Sequence, residues 1–400
     1  MPTATTHVPD DFRIAAIEVI PLRLWLKFKR AISRRRDTEV PNVEWVDNPV
    51  VVRIETASGC SGFARVRVPS GWLGETTTSI VGAVRDFYAP NLIGASLLNR
   101  EANVAALEAV LPGNPAALSA VDTAIHDALG KTLGLPVYAL LGGSNVPVPL
   151  DWSVSLRPAE RRDETIAEVR TAVQEYGVKI LCLKFGPRET WQTDVDTFRA
   201  VRAAVGDDVE IGIDPNEGYD LPTAVTVLRL LADDRVAYVE QPFHRSHLAD
   251  LADLRAQTGV PIYIDEGAVT LPNALDVIER RAADGIVLKM WKTGSFSKTL
   301  KMAALAEAAG MTVTVGGTAQ GNLLEAACFA HMYAASPGQA MAGEFILGME
   351  TTADHDPIAT APPEFAIRDG AAHLPTGPGL GIDVNIEAAR DLALAQYTIS

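Results

Sequence analysis

From about residue 147 to about residue 350 the chain repeats one unit, a short apolar run followed by an amphipathic helical stretch. The runs fall at 149–155, 179–185, 209–214, 236–241, 261–265, 285–291, 312–315 and 340–346. Helical spacing occupies 159–176, 194–205, 222–232, 246–258, 272–281, 296–309 and 322–335 between them. A continuously apolar strand needs cover on both faces, and alternating helices supply it. Eight such runs in about 200 residues predict a closed parallel α/β barrel rather than an open sheet.

The chain before this region has a different texture. Strand patterns at 14–24, 49–55 and 62–68 precede helical patterns at 76–92, 100–110 and 116–134, an order that predicts a small α+β domain. The expected division is therefore an α+β domain over 12–135, the barrel over 147–350, and a Gly/Pro-rich segment over 351–400 that folds back on the first domain. The start is polar and rich in Thr and Pro, and apolar stretches stop well short of the roughly 20 residues that span a bilayer. Cys60, Cys182 and Cys328 are too few and scattered for a disulfide framework, so a reducing cytoplasm and no membrane partner are expected. Thirty-five basic against fifty acidic residues leave a net charge of −15, which repels phosphate backbones and argues against a nucleic-acid partner.

In a parallel barrel the reactive groups stand at the carboxyl ends of the strands. Runs two to six close with Lys184, Asp214, Glu240, Asp265 and Lys289. Charged residues avoid apolar strands unless paired or liganded, so five in succession at one end mark a site. Asp214, Glu240 and Asp265 are spaced by 26 and 25 residues, one βα unit each, and project from neighbouring strands. Three converging carboxylates need a cation between them, and an oxygen-only donor set suits Mg²⁺. Lys184 and Lys289 flank the trio across the mouth. A lysine so placed can remove a proton alpha to a carboxylate while the metal stabilises the enediolate, and a lysine on the other face can return it.

Several stretches match a known family: AVDTAIHDALGK at 120–131, LLGG at 140–143, LKFG at 183–186, DPN at 214–216, EQP at 240–242 and DE at 265–266. Taken in order at this spacing, the chain resembles the enolase superfamily in its mandelate racemase/muconate lactonizing enzyme branch, and within it the muconate lactonizing subgroup. The resemblance implies a (β/α)7β barrel under an α+β capping domain. It also implies Mg²⁺ on Asp214, Glu240 and Asp265, with Lys184 and Lys289 as the acid/base pair. His244 and His247 fall in the loop after the fourth run and read as solvated loop residues.

Three positions depart from the family pattern. The subgroup's Lys-x-Lys on the second strand is Cys182-Leu183-Lys184 here, which puts a thiol on the same strand face as Lys184. The sequence GGTAQG at 316–321 offers Gln320 near where the muconate-type pattern carries a glutamate. Arg65, in GFAR at 62–65, stands where relatives commonly have a glutamate. Cys182, Gln320, Asn216 and Trp72 are the expected substrate contacts. The basic run KFKRAISRRR at 27–36 falls, by resemblance, in a loop that closes over the mouth. The expected function is Mg²⁺-dependent proton abstraction alpha to the carboxylate of a small substrate. Its outcome is racemisation, epimerisation or cycloisomerisation. Dehydration of a hydroxy-acid, and an inactive metal-binding homologue, are the alternatives. A homo-oligomer is expected.

Overall fold

The computed structural model describes residues 8–24, 48–67, 70–154, 157–186, 188–317, 322–336, 341–344 and 356–400. Both the basic run at 27–36 and Gln320 lie outside these residues, as do positions 340, 345 and 346 of the eighth run.

Strands Ile14–Pro21, Val50–Thr56 and Ser61–Val66 form an antiparallel sheet, and Tyr397–Ile399 from the chain's end joins its outer edge beside Ile14–Pro21. One long helix, Pro115–Leu133, covers this sheet, and its residues from Ala116 to Gly130 are all buried. Close packing explains the run of alanines at 116, 117, 120, 124 and 128. Gly62 on the facing strand lies flush against the helix, where a Cβ would stand 2.2 Å from the Ala124 carbonyl oxygen and 2.3 Å from the Ala128 nitrogen. The helix ends at Gly134, which takes the left-handed conformation at φ 69° that glycine adopts without penalty.

Seven parallel strands follow in sequential order: Asp151–Val154, Ile180–Lys184, Glu210–Asp214, Val236–Glu240, Ile262–Ile264, Gly285–Leu288 and Thr312–Val315. The sheet closes through a short eighth position. Gly343 bridges to Leu150 beside the first strand and Glu344 bridges to Gly316 beyond the seventh, both in parallel sense. Backbone bonds Gly343 N to Pro149 O (2.8 Å), Asp151 N to Gly343 O (3.0 Å) and Glu344 N to Val315 O (2.8 Å) complete the ring. The fold is thus an α/β barrel of the (β/α)7β kind with an N-terminal cap.

One strand ends earlier than its apolar run predicts. The sixth stops at Leu288, and Met290–Thr293 turns helical with Lys289 at its N-cap. Apolar character alone does not separate a strand from the helical turn after it. Among the described residues, no helix is long and apolar enough to cross a membrane.

Candidate active site

Register places the first two groups side by side, because Lys184 and Asp214 are paired residues on adjacent strands. Lys184 Nζ donates to Asp214 Oδ2 at 2.6 Å and lies 2.8 Å from Glu344 Oε1. Asp214 also accepts from the Asn216 backbone at 2.7 Å and from Asn216 Nδ2 at 2.8 Å. Asn216 and Glu217 hold φ of 45° and 66°, and Gln241, just past Glu240, holds 32°. Such left-handed conformations in non-glycine residues carry strain and cluster at functional sites. Here they knit the strand ends together. Glu217 N donates to Gln241 O at 2.8 Å, and Gln241 Oε1 accepts from Asp265 N at 3.1 Å and Gly267 N at 3.0 Å.

On the far side Lys289 Nζ donates to Asp265 Oδ2 at 2.5 Å. Lys292, one helical turn on, donates to Asp265 Oδ1 at 2.6 Å and to the carbonyls of Asp265 and Val287 at 2.7 Å each. The Lys289 ammonium sits 4.2 Å from the Trp72 ring centroid and 5.7 Å from that of Trp291, and the two rings meet edge to face. Trp72 is anchored from behind, since Arg245 donates to its carbonyl at 2.7 Å while pairing with Glu217.

Between the two lysines stands Glu240, fully buried, with an Oε1 that has no hydrogen-bond partner. Burial and then the charge of Asp214 push its carboxyl well above the ordinary range. Burial likewise raises Asp214, with Lys184 offsetting it in part. Asp265 goes the other way: burial opposes it, but Lys289 and Lys292 together hold it below the usual carboxylate range. Burial would depress Lys184 and Lys289, yet Asp214 raises the first and Asp265 the second. Lys292 is held below the usual lysine range by burial and by Lys289, against the pull of Asp265.

Lys184, Asp214, Glu240, Asp265, Lys289, Cys182, Asn216 and Trp72 therefore all belong to one mouth or the wall beneath it. Asp214 and Glu240 close their strands, and Asp265 directly follows the next one. Among the described residues, the one set of three donor atoms within 4.8 Å of one another is Cys182, Asp214 and Glu240. Asp265, whose two oxygens accept from Lys289 and Lys292, is not in that set. The mouth nonetheless fits a divalent cation: two buried oxygens, Glu240 Oε1 and Asn216 Oδ1, lack any donor. Cys182 is fully buried within the barrel beside Tyr238, Tyr263 and Val287. His244 and His247 lie outside the mouth, exposed on their loop. Glu344, Lys292 and Trp291 were not singled out by the strand-end rule. Glu344 lies inside the eighth run rather than at its end, and brings a glutamate to the mouth from the eighth position instead of from the 316–321 stretch.

Comparison with known proteins adds an independent line. Residues 164–389 match the model of the enolase C-terminal domain-like family, and residues 45–142 match that of the mandelate racemase/muconate lactonizing enzyme N-terminal domain. A chloromuconate cycloisomerase of Cupriavidus necator is 31% identical over 348 residues, covering 85% of this chain and 90% of its own. Among solved structures, an N-succinyl Arg/Lys racemase of Bacillus cereus superposes with a TM-score of 0.85 at 25% identity, over 97% of this chain and all of the other. A dipeptide epimerase of Cytophaga hutchinsonii, solved with Mg and D-Ala-L-Val, gives 0.82 at 26% identity over 97% and 100%.

Proposed function

Since the chain belongs to the mandelate racemase/muconate lactonizing enzyme family of the enolase superfamily, an isomerase family by its relatives, we propose that it moves a proton at the carbon alpha to the carboxylate of a small organic acid. Lys184 and Lys289 are the acid/base pair in this reading, and Asp214, Glu240 and Asp265 hold a divalent cation, Mg²⁺ by their oxygen donors. When bound, that ion would stabilise the negative charge that develops on the substrate carboxylate.

The observation that carries the reading is the placement of two buried lysines on opposite sides of Glu240, each fixed by a carboxylate. Burial is the largest single influence on both amines and favours the neutral form a base requires, but Asp214 beside Lys184 and Asp265 beside Lys289, with their acidic neighbours, outweigh it and hold both above the usual lysine range. The carboxylates opposing that influence are the ones assigned to the cation. A substrate lying between Nζ groups on two faces can lose a proton to one lysine and regain it from the other, which inverts the alpha carbon. Trp72 and Trp291 wall the Lys289 side and exclude water there.

Cycloisomerisation is a second reading, favoured by the 31% identity to the Cupriavidus necator enzyme. Both predict alpha-proton exchange, and they separate on product connectivity. The test is incubation of each enantiomer of candidate N-acyl amino acids, dipeptides and lactones in D₂O with Mg²⁺, followed by NMR. Exchange with inversion is expected, and Lys184→Met and Lys289→Met should each abolish proton loss from opposite enantiomers. If both variants exchange like the parent, the lysine pair is wrong.

A further inference from the structure

A small cavity of about 20 Å³ lies between the cap and the barrel, with Trp291 and Glu325 in its lining. Each brings a buried polar atom that has no partner among the described residues, the indole Nε1 of Trp291 and Oε1 of Glu325. Glu325 stands in the first turn of Leu323–Ala335, three residues after the N-cap Asn322. A glutamate there ordinarily reaches back to the N-cap backbone. Here its Oε2 instead accepts from Asn322 Nδ2 at 3.2 Å, which leaves Oε1 for the cavity. Burial keeps the carboxyl neutral, raising its pKa to about 8 against Arg65, Arg67, Asn322 and Lys289. With Oε2 accepting, the acid's proton sits on Oε1, so both unpartnered groups are donors. Two donors cannot satisfy each other; they need an acceptor between them.

We propose that one water seats between Trp291 Nε1 and Glu325 Oε1, and that Glu325 with this water is a positioning unit for Lys289. This rests on the reading of Lys289 as an acid/base group. The cavity has the room, since a buried water needs about 10–15 Å³ of such space and about two to four polar partners. The water accepts from Nε1 and Oε1 and donates to the hydroxyl oxygens of Ser119 and Thr123, which share the lining. Ser119 donates its own proton to Ala116 O at 3.2 Å and so can accept. The other charged and titratable groups around Glu325 have partners of their own. Arg65 pairs with Asp356 and Lys289 with Asp265, Asp122 of the cap helix accepts from Phe296 N, and Cys328 contacts Thr123 at 3.7 Å. The link to the mouth is short. Trp291 lies in the turn Met290–Thr293 that Lys289 caps, and its ring meets edge to face, at 5.3 Å, the Trp72 ring over which the Lys289 ammonium sits. Pinning the indole therefore fixes both the turn and the aromatic wall that hold Lys289.

The test uses the full-length protein. A crystal structure should show one ordered water within hydrogen-bond distance of both Nε1 and Oε1. Raising the pH through about 8 should ionise Glu325, turn the water to donate to Oε1, and shift the near-ultraviolet absorption of tryptophan. Glu325→Gln, whose amide donates at the same place and does not ionise, should lack that shift, and so should Trp291→Phe. In D₂O, Glu325→Leu should slow exchange of the enantiomer served by Lys289 by roughly ten- to a hundredfold, as a misplacement of about 1 Å can. It should spare the enantiomer served by Lys184, and Glu325→Gln should keep the parent's rates for both. Circular dichroism checks folding, and if Glu325→Leu does not fold, the crystal structure and the Glu325→Gln spectra decide. A dry cavity, or a tryptophan shift that persists in Glu325→Gln, overturns the proposal. Lys289→Met separates it from the reading beneath it. If that variant loses its enantiomer's exchange while a folded Glu325→Leu slows neither enantiomer or both alike, the positioning role is overturned and the base stands. If Lys289→Met exchanges like the parent, both are overturned.

Discussion

Arg65, one of the three departures that stand out in the sequence, sits in an environment that gives it a measurable consequence. Its guanidinium meets Asp356 in a two-pronged pair, Nη1 to Oδ1 at 2.9 Å and Nη2 to Oδ2 at 2.5 Å, with both side chains essentially inaccessible to water. Asp356 also accepts from the backbone of Leu323, at the start of helix Leu323–Ala335, and of Ile358, each at 3.1 Å. The pair therefore clamps a cap strand, a barrel helix and the C-terminal segment at one point. Changing Arg65→Met keeps most of the stem volume but strands the buried aspartate charge, a loss worth about 3–5 kcal/mol. With unfolding entropy near 2.1 cal/mol/K per residue, about 0.84 kcal/mol/K for 400 residues, the midpoint should fall by roughly 4–6 °C. Replacing both partners, Arg65→Met with Asp356→Leu, removes the stranded charge and should recover most of that loss. The assay is urea and thermal unfolding of the parent, both single variants and the double variant at pH 7. A cost below about 1 kcal/mol for Arg65→Met, or a double variant as unstable as the sum of the singles, would refute the argument.

Three further outcomes follow from the geometry. Gly62→Ala should cost about 3 kcal/mol or more, because its Cβ would stand 2.2 Å from backbone that cannot yield, and a thermal midpoint like the parent's would contradict this. His331 is buried and neutral, with Nδ1 accepting from Tyr138 N and Nε2 donating to Leu380 O at 3.2 Å each, and burial lowers its pKa from 6.5 to about 4. The unfolded chain then binds the extra proton, so roughly 3 kcal/mol of stability present above pH 6.5 is lost as pH falls toward 4; urea midpoints across that window should lose this slope in His331→Gln. Trp72→Leu removes the ring 4.2 Å from Lys289 Nζ, a contact worth about 0.5–2 kcal/mol, so exchange of the enantiomer served by Lys289 should slow roughly 2–30-fold while the other is spared. Equal slowing of both would show that Trp72 acts on the mouth as a whole.

The barrel was legible because each strand is buried on both faces and so reads as an unbroken apolar run, and because a charge at such a run's end has no other reason to be there. Lys184, Asp214, Glu240, Asp265 and Lys289 were found on that ground alone. What the rule could not see depends on contacts far apart in the chain. Lys292 reaches back to Asp265 and Val287 only because the backbone turns helical at Lys289, and nothing in the apolar run 285–291 announces that turn. Glu344 enters the mouth because the closing position pairs through Gly343 and Glu344, so this carboxylate lies inside its run instead of at the end. The Arg65 substitution stayed unexplained at the level of sequence because its partner is 291 residues away.

The most recognisable motif in the chain, at 120–131, is not part of the mouth at all. It lies on the cap helix Pro115–Leu133, which is buried from Ala116 to Gly130 between the cap sheet and the barrel. Acidic residues so buried must be satisfied by donors, and each accepts from the backbone of another segment. Asp127 Oδ2 accepts from Phe63 N of a cap strand and from Lys131, while its Oδ1 accepts from Leu380 N of the C-terminal segment, all within 2.8 Å. Asp122 Oδ2 accepts from Phe296 N at 2.8 Å, at the start of the barrel helix Phe296–Ala308. One helix thus gathers the cap sheet, the barrel and the returning C-terminus by capping backbone amides that would otherwise be buried without partners. Its motif reports how the two layers are assembled, whereas the proposed reaction draws on side chains at the strand ends. The two signals are physically separable. A substitution such as Asp127→Asn should therefore lower stability without altering which enantiomer each lysine serves, and a change in that stereochemical preference would place the cap helix in the chemistry after all.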